Sequence, residues 1–186
     1  MIQPDRALIQ LVWGAVTITW LVLAFRTKRT VARRGGYWRT VAVLGAVIVF
    51  TSRYFGHWWR HPLWRVDSAL SATATTLVFL GAIFAVWARL TIGANWSGVV
   101  TLKEDHELVE TGPYRYVRHP IYTGLFTMGV GTQLMYAYPY GFLFFVVAVV
   151  VFSVKIREEE RLMTETFPDE YPLYRRRVKA IIPFVL

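Results

Sequence analysis

The chain has 186 residues, of which 55% are hydrophobic, 16% aromatic and only 18% charged, with a formal net charge of +9. Soluble domains run at about 45–50% apolar and about 25% charged, so the composition excludes an ordinary soluble globule and indicates one membrane-embedded domain. Cysteine is absent, which removes disulfides, thiolate metal ligation and a cysteine nucleophile together.

The first apolar run, Ala7 to Phe25, carries no charge and meets the length of about 20 residues that a bilayer crossing requires. It exceeds a signal-peptide core of about 7–15 residues, and Ala24-Phe25-Arg26 is a poor cleavage site, so it reads as a retained span. A second span is expected from Tyr37 to Trp59, around the apolar interior Thr40 to Ser52. Arg53 lies near one end of it, where it can snorkel to the interface beside Trp58 and Trp59. The third span is Ser68 to Ala88, which like the first shows no polar face.

From Pro120 to Val154 there is again no charged residue. As one helix this stretch would be about 50 Å long, well beyond a hydrocarbon core of about 30 Å. Tyr136-Ala137-Tyr138-Pro139-Tyr140 lies near its middle. Proline breaks helices and tyrosine favours the lipid–water interface, so the stretch is expected to fold as a helical hairpin. The expected fold is therefore all-α: a polytopic membrane protein of five transmembrane helices, forming a single domain over 1–186. Residues 1–92 hold the first three spans, and 93–186 hold a polar loop, the hairpin and a helical tail.

Basic residues set the orientation. The first loop holds Arg26, Lys28, Arg29, Arg33, Arg34 and Arg39 without an acid, and the tail holds Arg175, Arg176, Arg177 and Lys179. Both are expected in the cytosol, with the N-terminus outside. The same rule and anionic lipid headgroups account for the positive charge. No basic-aromatic groove motif accompanies it, so the expected partner is the lipid bilayer and not nucleic acid; no metal is expected either.

Two clusters carry chemistry. In the loop before the hairpin, Gly112-Pro113 is a turn signal, and Pro120 suits the first turn of the following helix. That places His119 at a helix N-terminus, where free N–H groups attract anions, beside the fixed charge of Arg118. The plainer alternative is an interfacial cap with an aromatic belt of Tyr114, Tyr116 and Tyr122. The second cluster, Lys155-Ile156-Arg157-Glu158-Glu159-Glu160-Arg161-Leu162, follows the last span. Lys155, Glu159 and Leu162 share one helical face at i, i+4 and i+7. The alternative is a solvated charged helix, but ionisable residues that continue a buried face near a membrane are functional candidates.

The run Gly112-Pro113-Tyr114-Arg115-Tyr116-Val117-Arg118-His119-Pro120-Ile121-Tyr122-Thr123-Gly124 resembles the isoprenylcysteine carboxyl methyltransferase family. Asn95-Trp96-Ser97 upstream fits the same resemblance, as do Glu159-Glu160-Arg161-Leu162, Tyr171, Tyr174 and Ile182-Pro183 downstream. The resemblance spans Gly93 to Pro183, and ordered motifs on both sides of the hairpin carry it. It implies a helical membrane enzyme that binds S-adenosylmethionine at the cytosolic interface without a Rossmann domain, and no Gly-x-Gly-x-x-Gly follows an expected strand.

By resemblance, the cofactor-binding residues fall on Thr101, His106, Glu107, Leu108, Val109, Tyr114, His119, Pro120, Ile121, Tyr122 and Glu159. The family's substrate-binding arginine falls on Lys155, one turn before Glu159. Lysine keeps the charge but loses the planar fork that grips a carboxylate. Phe167-Pro168, where the family has Phe-Gly, is expected to alter a turn and leave the chemistry unchanged. The implied activity is methyl transfer to the carboxylate of an isoprenylcysteine-like compound. The alternatives are a phospholipid or other lipid N-methyltransferase, in which Glu158 or Glu160 would serve as base, and a non-enzymatic membrane scaffold.

Overall fold

The structure is a computed structural model that describes residues 4–33, 41–46, 61–98, 100–104 and 107–183. Helix α1 spans Pro4–Ala24, α2 Ser68–Ile92, α3 Pro120–Tyr136, α4 Pro139–Thr166 and α5 Glu170–Arg177. Within them, three stretches are long and apolar enough to cross a membrane: Asp5–Ala24, Ser68–Asn95 and Pro139–Thr166. Helix α3, at 17 residues, is about 26 Å long and just short of a full crossing. The expected Tyr37–Trp59 span lies outside the described residues except for 41–46, which are helical.

Local sequence explains where these helices begin and end. The Asp67 carboxylate accepts the Leu70 N–H at 2.8 Å and caps α2. Gly93 closes that helix with φ +56 and ψ −127, a positive-φ conformation open to glycine because it has no Cβ. The hairpin break falls where Tyr136-Ala137-Tyr138-Pro139 places it. It turns through Ala137, a non-glycine residue at φ 56, a conformation disfavoured by about 1 kcal/mol or more. Ala137 is buried, donates to Gln133 O at 2.8 Å and accepts from Leu63 N at 2.8 Å, and these bonds hold the strained residue in place. Pro139 then starts α4 in its first turn.

Small residues build the seam between α2 and α3. A Cβ placed on Gly81 would meet Gly124 O at 2.6 Å, and one on Gly131 would meet Ala74 O at 2.5 Å. The two backbones therefore touch, as small residues permit between helices in lipid. Around this seam Ile9, Val16, Ala74, Val78, Ala82, Met128 and Met135 form a buried core with α1.

Contacts at the helix ends fix the topology. At one end the Asp5 carboxylate accepts from the Ser71 hydroxyl; at the other, Arg89 Nη2 donates to Leu23 O at 2.8 Å. So α1 and α2 run parallel. Residues 28–33 lie at the Arg89 end, where Lys28 N donates to Ala94 O. Trp64, by contrast, bonds Leu134 O near the hairpin turn. Residues 28–33 and Trp64 thus lie at opposite ends of the bundle.

The structure agrees with the expected all-α class and adds one short extended feature to it. Thr30–Arg33 (β1) and Thr101–Lys103 (β2) pair as a two-stranded antiparallel ribbon with a register shift between Thr30 and Ala32. Threonine and valine favour extended backbone, but segments of four and three residues have too little periodicity to stand out within basic loops.

Candidate functional site

At the Arg89 end of the bundle, four segments distant in sequence enclose a cavity. About 880 Å³ of space lies between its walls, part of it open to solvent. The end of α2 and the turn after it contribute Ile92, Asn95, Trp96 and Ser97. The loop before α3 contributes Glu107, Leu108, Val109 and Tyr114. Arg118, His119, Pro120, Ile121 and Tyr122 come from the start of α3 and the two residues before it, and Glu159, Leu162 and Met163 from the end of α4. Tyr171 and Tyr174 of α5 form the remaining wall.

Pro120 occupies the first turn of α3 and leaves His119 as the residue before it, with no side-chain cap bond. The His119 ring stacks on Tyr122 at 5.7 Å between centroids and 15° between planes. Across the cavity, Glu159 accepts from the Tyr122 hydroxyl at 2.9 Å and lies 3.7 Å from His119 Nδ1. Its side chain keeps 23% of its surface exposed, so the carboxylate still faces the cavity. The adjacent Glu160 points elsewhere, because successive helical residues differ by about 100° in direction. It accepts from Arg118 Nε at 2.9 Å and lies 3.3 Å from His119 Nε2.

Lys155 sits one turn before Glu159, with its Nζ 3.5 Å from Glu159 Oε1. It is 6% exposed and does not line the cavity. Its ammonium donates to Gly98 O at 2.9 Å and lies 5.4 Å from the Tyr122 ring centroid. Burial pushes the phenols of Tyr114, Tyr171 and Tyr174 up from the usual tyrosine range. Tyr174 uses its hydroxyl to donate to Tyr114 O at 2.6 Å.

The residues expected from sequence therefore converge: Glu107, Leu108, Val109, Tyr114, His119, Pro120, Ile121, Tyr122 and Glu159 all line one cavity. His106 lies outside the described residues, and Thr101 is placed in β2 by its backbone alone. Sequence reasoning ended the third span at Ala88 and so passed over Arg89. That arginine is 1% exposed, donates to Gly93 O and Leu23 O at 2.8 Å each, and lies over the Trp96 ring at 4.5 Å. It fastens the turn that carries Asn95 and Trp96. The signal was a lone arginine one turn from the end of a 25-residue apolar helix.

These features define a class: a polytopic helical membrane protein with a polar pocket where its helices end. The family model described as the isoprenylcysteine carboxyl methyltransferase (ICMT) family matches residues 72–165. The chain is 33% identical over 143 residues to protein-S-isoprenylcysteine O-methyltransferase B of Arabidopsis thaliana, covering 75% of this chain and 68% of that protein. Protein-S-isoprenylcysteine O-methyltransferase of Saccharomyces cerevisiae is 39% identical over 112 residues, covering 59% and 47%. That of Mus musculus is 34% identical over 149 residues, covering 78% and 51%. A solved eukaryotic intramembrane Ras methyltransferase ICMT superposes with a TM-score of 0.55 at 26% identity, over 80% of this chain and 52% of that one. The chain belongs to the isoprenylcysteine carboxyl methyltransferase family, and it spans about half the length of the yeast and mouse relatives.

Proposed function

We propose that the protein transfers a methyl group from S-adenosylmethionine to a lipophilic substrate at the cytosolic membrane face, the acceptor being the carboxylate of an isoprenylcysteine-like compound. The observation that carries this reading is the convergence of His119, Tyr122 and Glu159, from opposite arms of the hairpin, on one cavity with the 107–109 loop. Basic residues at the same end, in the first loop and the tail, support a cytosolic placement and an external N-terminus. The names of the relatives support the substrate class.

The cavity suits the cofactor. Glu159 offers a partly exposed carboxylate to a cationic ligand. Asn95 lines the cavity with its buried Oδ1 lacking a protein donor, so it can accept from an amino or hydroxyl group. S-adenosylmethionine, when bound, supplies an electrophilic methyl group on a sulfonium. Glu107, Leu108, Val109, Tyr114, Pro120 and Ile121 would form its walls, with Thr101 and His106 on adjoining segments. The protein then contributes positioning and exclusion of water, which count most in a displacement reaction. A carboxylate acceptor with a pKa near about 4 needs no base at neutral pH.

Two contacts bear on the acceptor. Glu160 lies against Arg118, His119 and Arg175, which leaves it poorly placed to take a proton and weighs against an amine acceptor that would need it as base. Lys155 is held by Gly98 O and Glu159, so a substrate carboxylate must displace that carbonyl to reach it. We assign Lys155 the role of orienting Glu159 and the 93–98 turn until substrate arrives. The test is binding of S-adenosylhomocysteine to purified protein, then methyl transfer to an N-acetylated farnesylcysteine and, in parallel, to an amine-headed phospholipid. Turnover of the thioether acid alone is expected; methylation of the amine lipid alone would replace O-methylation by N-methylation.

A further inference from the structure

Among the described residues the densest ionic cluster centres on Glu160, which does not itself line the cavity, although its partners Arg118 and His119 do. The cluster ties together segments that meet only in the folded chain. Arg118 donates Nε–H and a second N–H to Glu160 Oε1, the first at 2.9 Å. His119 Nε2 lies 3.3 Å from the same oxygen, and Arg175 Nε 3.4 Å from Oε2. Arg118 also reaches out of this cluster: its Nη1 donates to Val178 O and, at 3.3 Å, to Arg175 O, the carbonyls at the end of α5. The backbone beside it pairs with the tail, Arg118 N to Lys179 O at 2.8 Å and His119 N to Ala180 O at 2.9 Å. Thr123 adds a hydroxyl bond to Ile181 O at 2.8 Å.

The tail needs such ties. Helix α5 has eight residues, too few to hold a helix in water without docking. It carries Tyr171 and Tyr174, which wall one side of the cavity. Its other side-chain ion pair, Arg177 with Glu110 at 2.9 Å, is exposed, and pairs of that kind contribute little. Arg118 instead is 7% exposed in its side chain and spends its donors in two directions, on a carboxylate of α4 and on the last carbonyls of α5. A planar guanidinium can do this; a single ammonium cannot.

We infer that Arg118 is a positioning residue: braced by Glu160, its guanidinium latches the 170–181 tail as a closable wall of the pocket, and ligand affinity follows the closed fraction of that wall. The inference rests on the proposed cofactor reading for its ligand, but its geometry concerns the tail alone. A ligand that binds only the closed form has an apparent Kd raised by the inverse of the closed fraction. Ligand and latch should therefore protect the same backbone.

The experiment is hydrogen exchange by mass spectrometry on the full chain in detergent, with and without S-adenosylhomocysteine, for wild type, Arg118→Lys, Glu160→Gln and the control Arg161→Ala, which breaks only the exposed pair of Arg161 Nε with Glu165 Oε1 at 3.4 Å. Wild-type tail peptides should slow on adding ligand. Without ligand, Arg118→Lys and Glu160→Gln should exchange the 170–181 tail about tenfold faster, with α2 and α3 unchanged, and both should raise the ligand Kd about tenfold. Arg161→Ala should change neither reading. If Kd rises while the unliganded tail exchanges as in wild type, Arg118 touches the ligand directly and the latch is wrong; unchanged tail and affinity overturn it as well. If wild type fails to bind S-adenosylhomocysteine while Arg118→Lys still frees the tail, the cofactor reading falls and the latch stands. Should one variant not fold, the other gives the same two readings.

Discussion

The seam between α2 and α3 and the pocket end of the bundle are built from opposite kinds of residue. In the seam, Gly81, Gly124 and Gly131 bring two backbones into contact, and the surrounding side chains are alanine, valine and methionine. At the pocket end, Lys155, Glu159, Glu160, Arg118, His119 and Arg89 all lie within a few ångströms of a charged or polar partner. The seam sets helix spacing and orders the bundle by shape. The pocket end adds little packing but fixes directions, because each charged group accepts only partners placed correctly around it. Removing bulk tolerance from the seam should therefore cost stability without touching chemistry, and neutralising a pocket charge should do the reverse.

The largest effect is expected in the seam. Gly124→Val would place a Cβ 2.6 Å from Gly81 O and 2.7 Å from Ala85 Cβ, where the obstacle is backbone and cannot rotate away. Overpacking typically costs about 1–3 kcal/mol and more when the backbone must move, so the variant should lose about 3 kcal/mol or more. Thermal unfolding in detergent should show a large fall in midpoint; an unchanged midpoint would mean the helices are not in contact here.

The pocket should respond in affinity. Glu159→Gln and His119→Ala each remove a polar partner from the cavity, and each should weaken S-adenosylhomocysteine binding at least about tenfold, or about 1.4 kcal/mol. Their unfolding midpoints should stay near wild type, since neither group packs in the seam. Calorimetry showing wild-type affinity for both would take these two residues out of the ligand site and break the contrast between the two regions.

How much of this could be read from the sequence follows the same division. The hairpin break was legible because Tyr136-Ala137-Tyr138-Pro139 interrupts a charge-free run, and His119-Pro120-Ile121-Tyr122 with Glu159 was legible because the family resemblance fixes those positions. Lys155 and Glu159 were paired by helical spacing alone, and they lie 3.5 Å apart. The latch was harder. Arg118 bonds carbonyls near residue 178, and no local periodicity relates residues 57 or 60 positions apart. Arg89 was missed because a helix runs on past the last purely apolar residue when a buried arginine has carbonyls to bond. The ribbon of Thr30–Arg33 with Thr101–Lys103 was missed because pairing partners that distant leave no mark on either short segment.

The smallest predicted effect is also the most diagnostic. Family resemblance places a substrate-binding arginine at the position of Lys155, yet the ammonium is 6% exposed and committed to Gly98 O and Glu159. If it orients Glu159 and the 93–98 turn, Lys155→Ala should weaken S-adenosylhomocysteine about fivefold, or about 1 kcal/mol, the scale of one hydrogen bond from a charged donor that water partly replaces. The KM for the thioether acid should then move less than the cofactor affinity. Lys155→Arg should not restore the cofactor term, since a guanidinium is longer and planar and would not repeat one short bond to Gly98 O beside Glu159. The reverse pattern would be a tenfold rise in substrate KM, cofactor affinity intact and rescue by arginine. It would show that the turn opens on substrate binding and hands the ammonium to the carboxylate. Lys155 would then belong with the groups that meet substrate, and the directional fit of the pocket end would have to include a movement of the 93–98 turn.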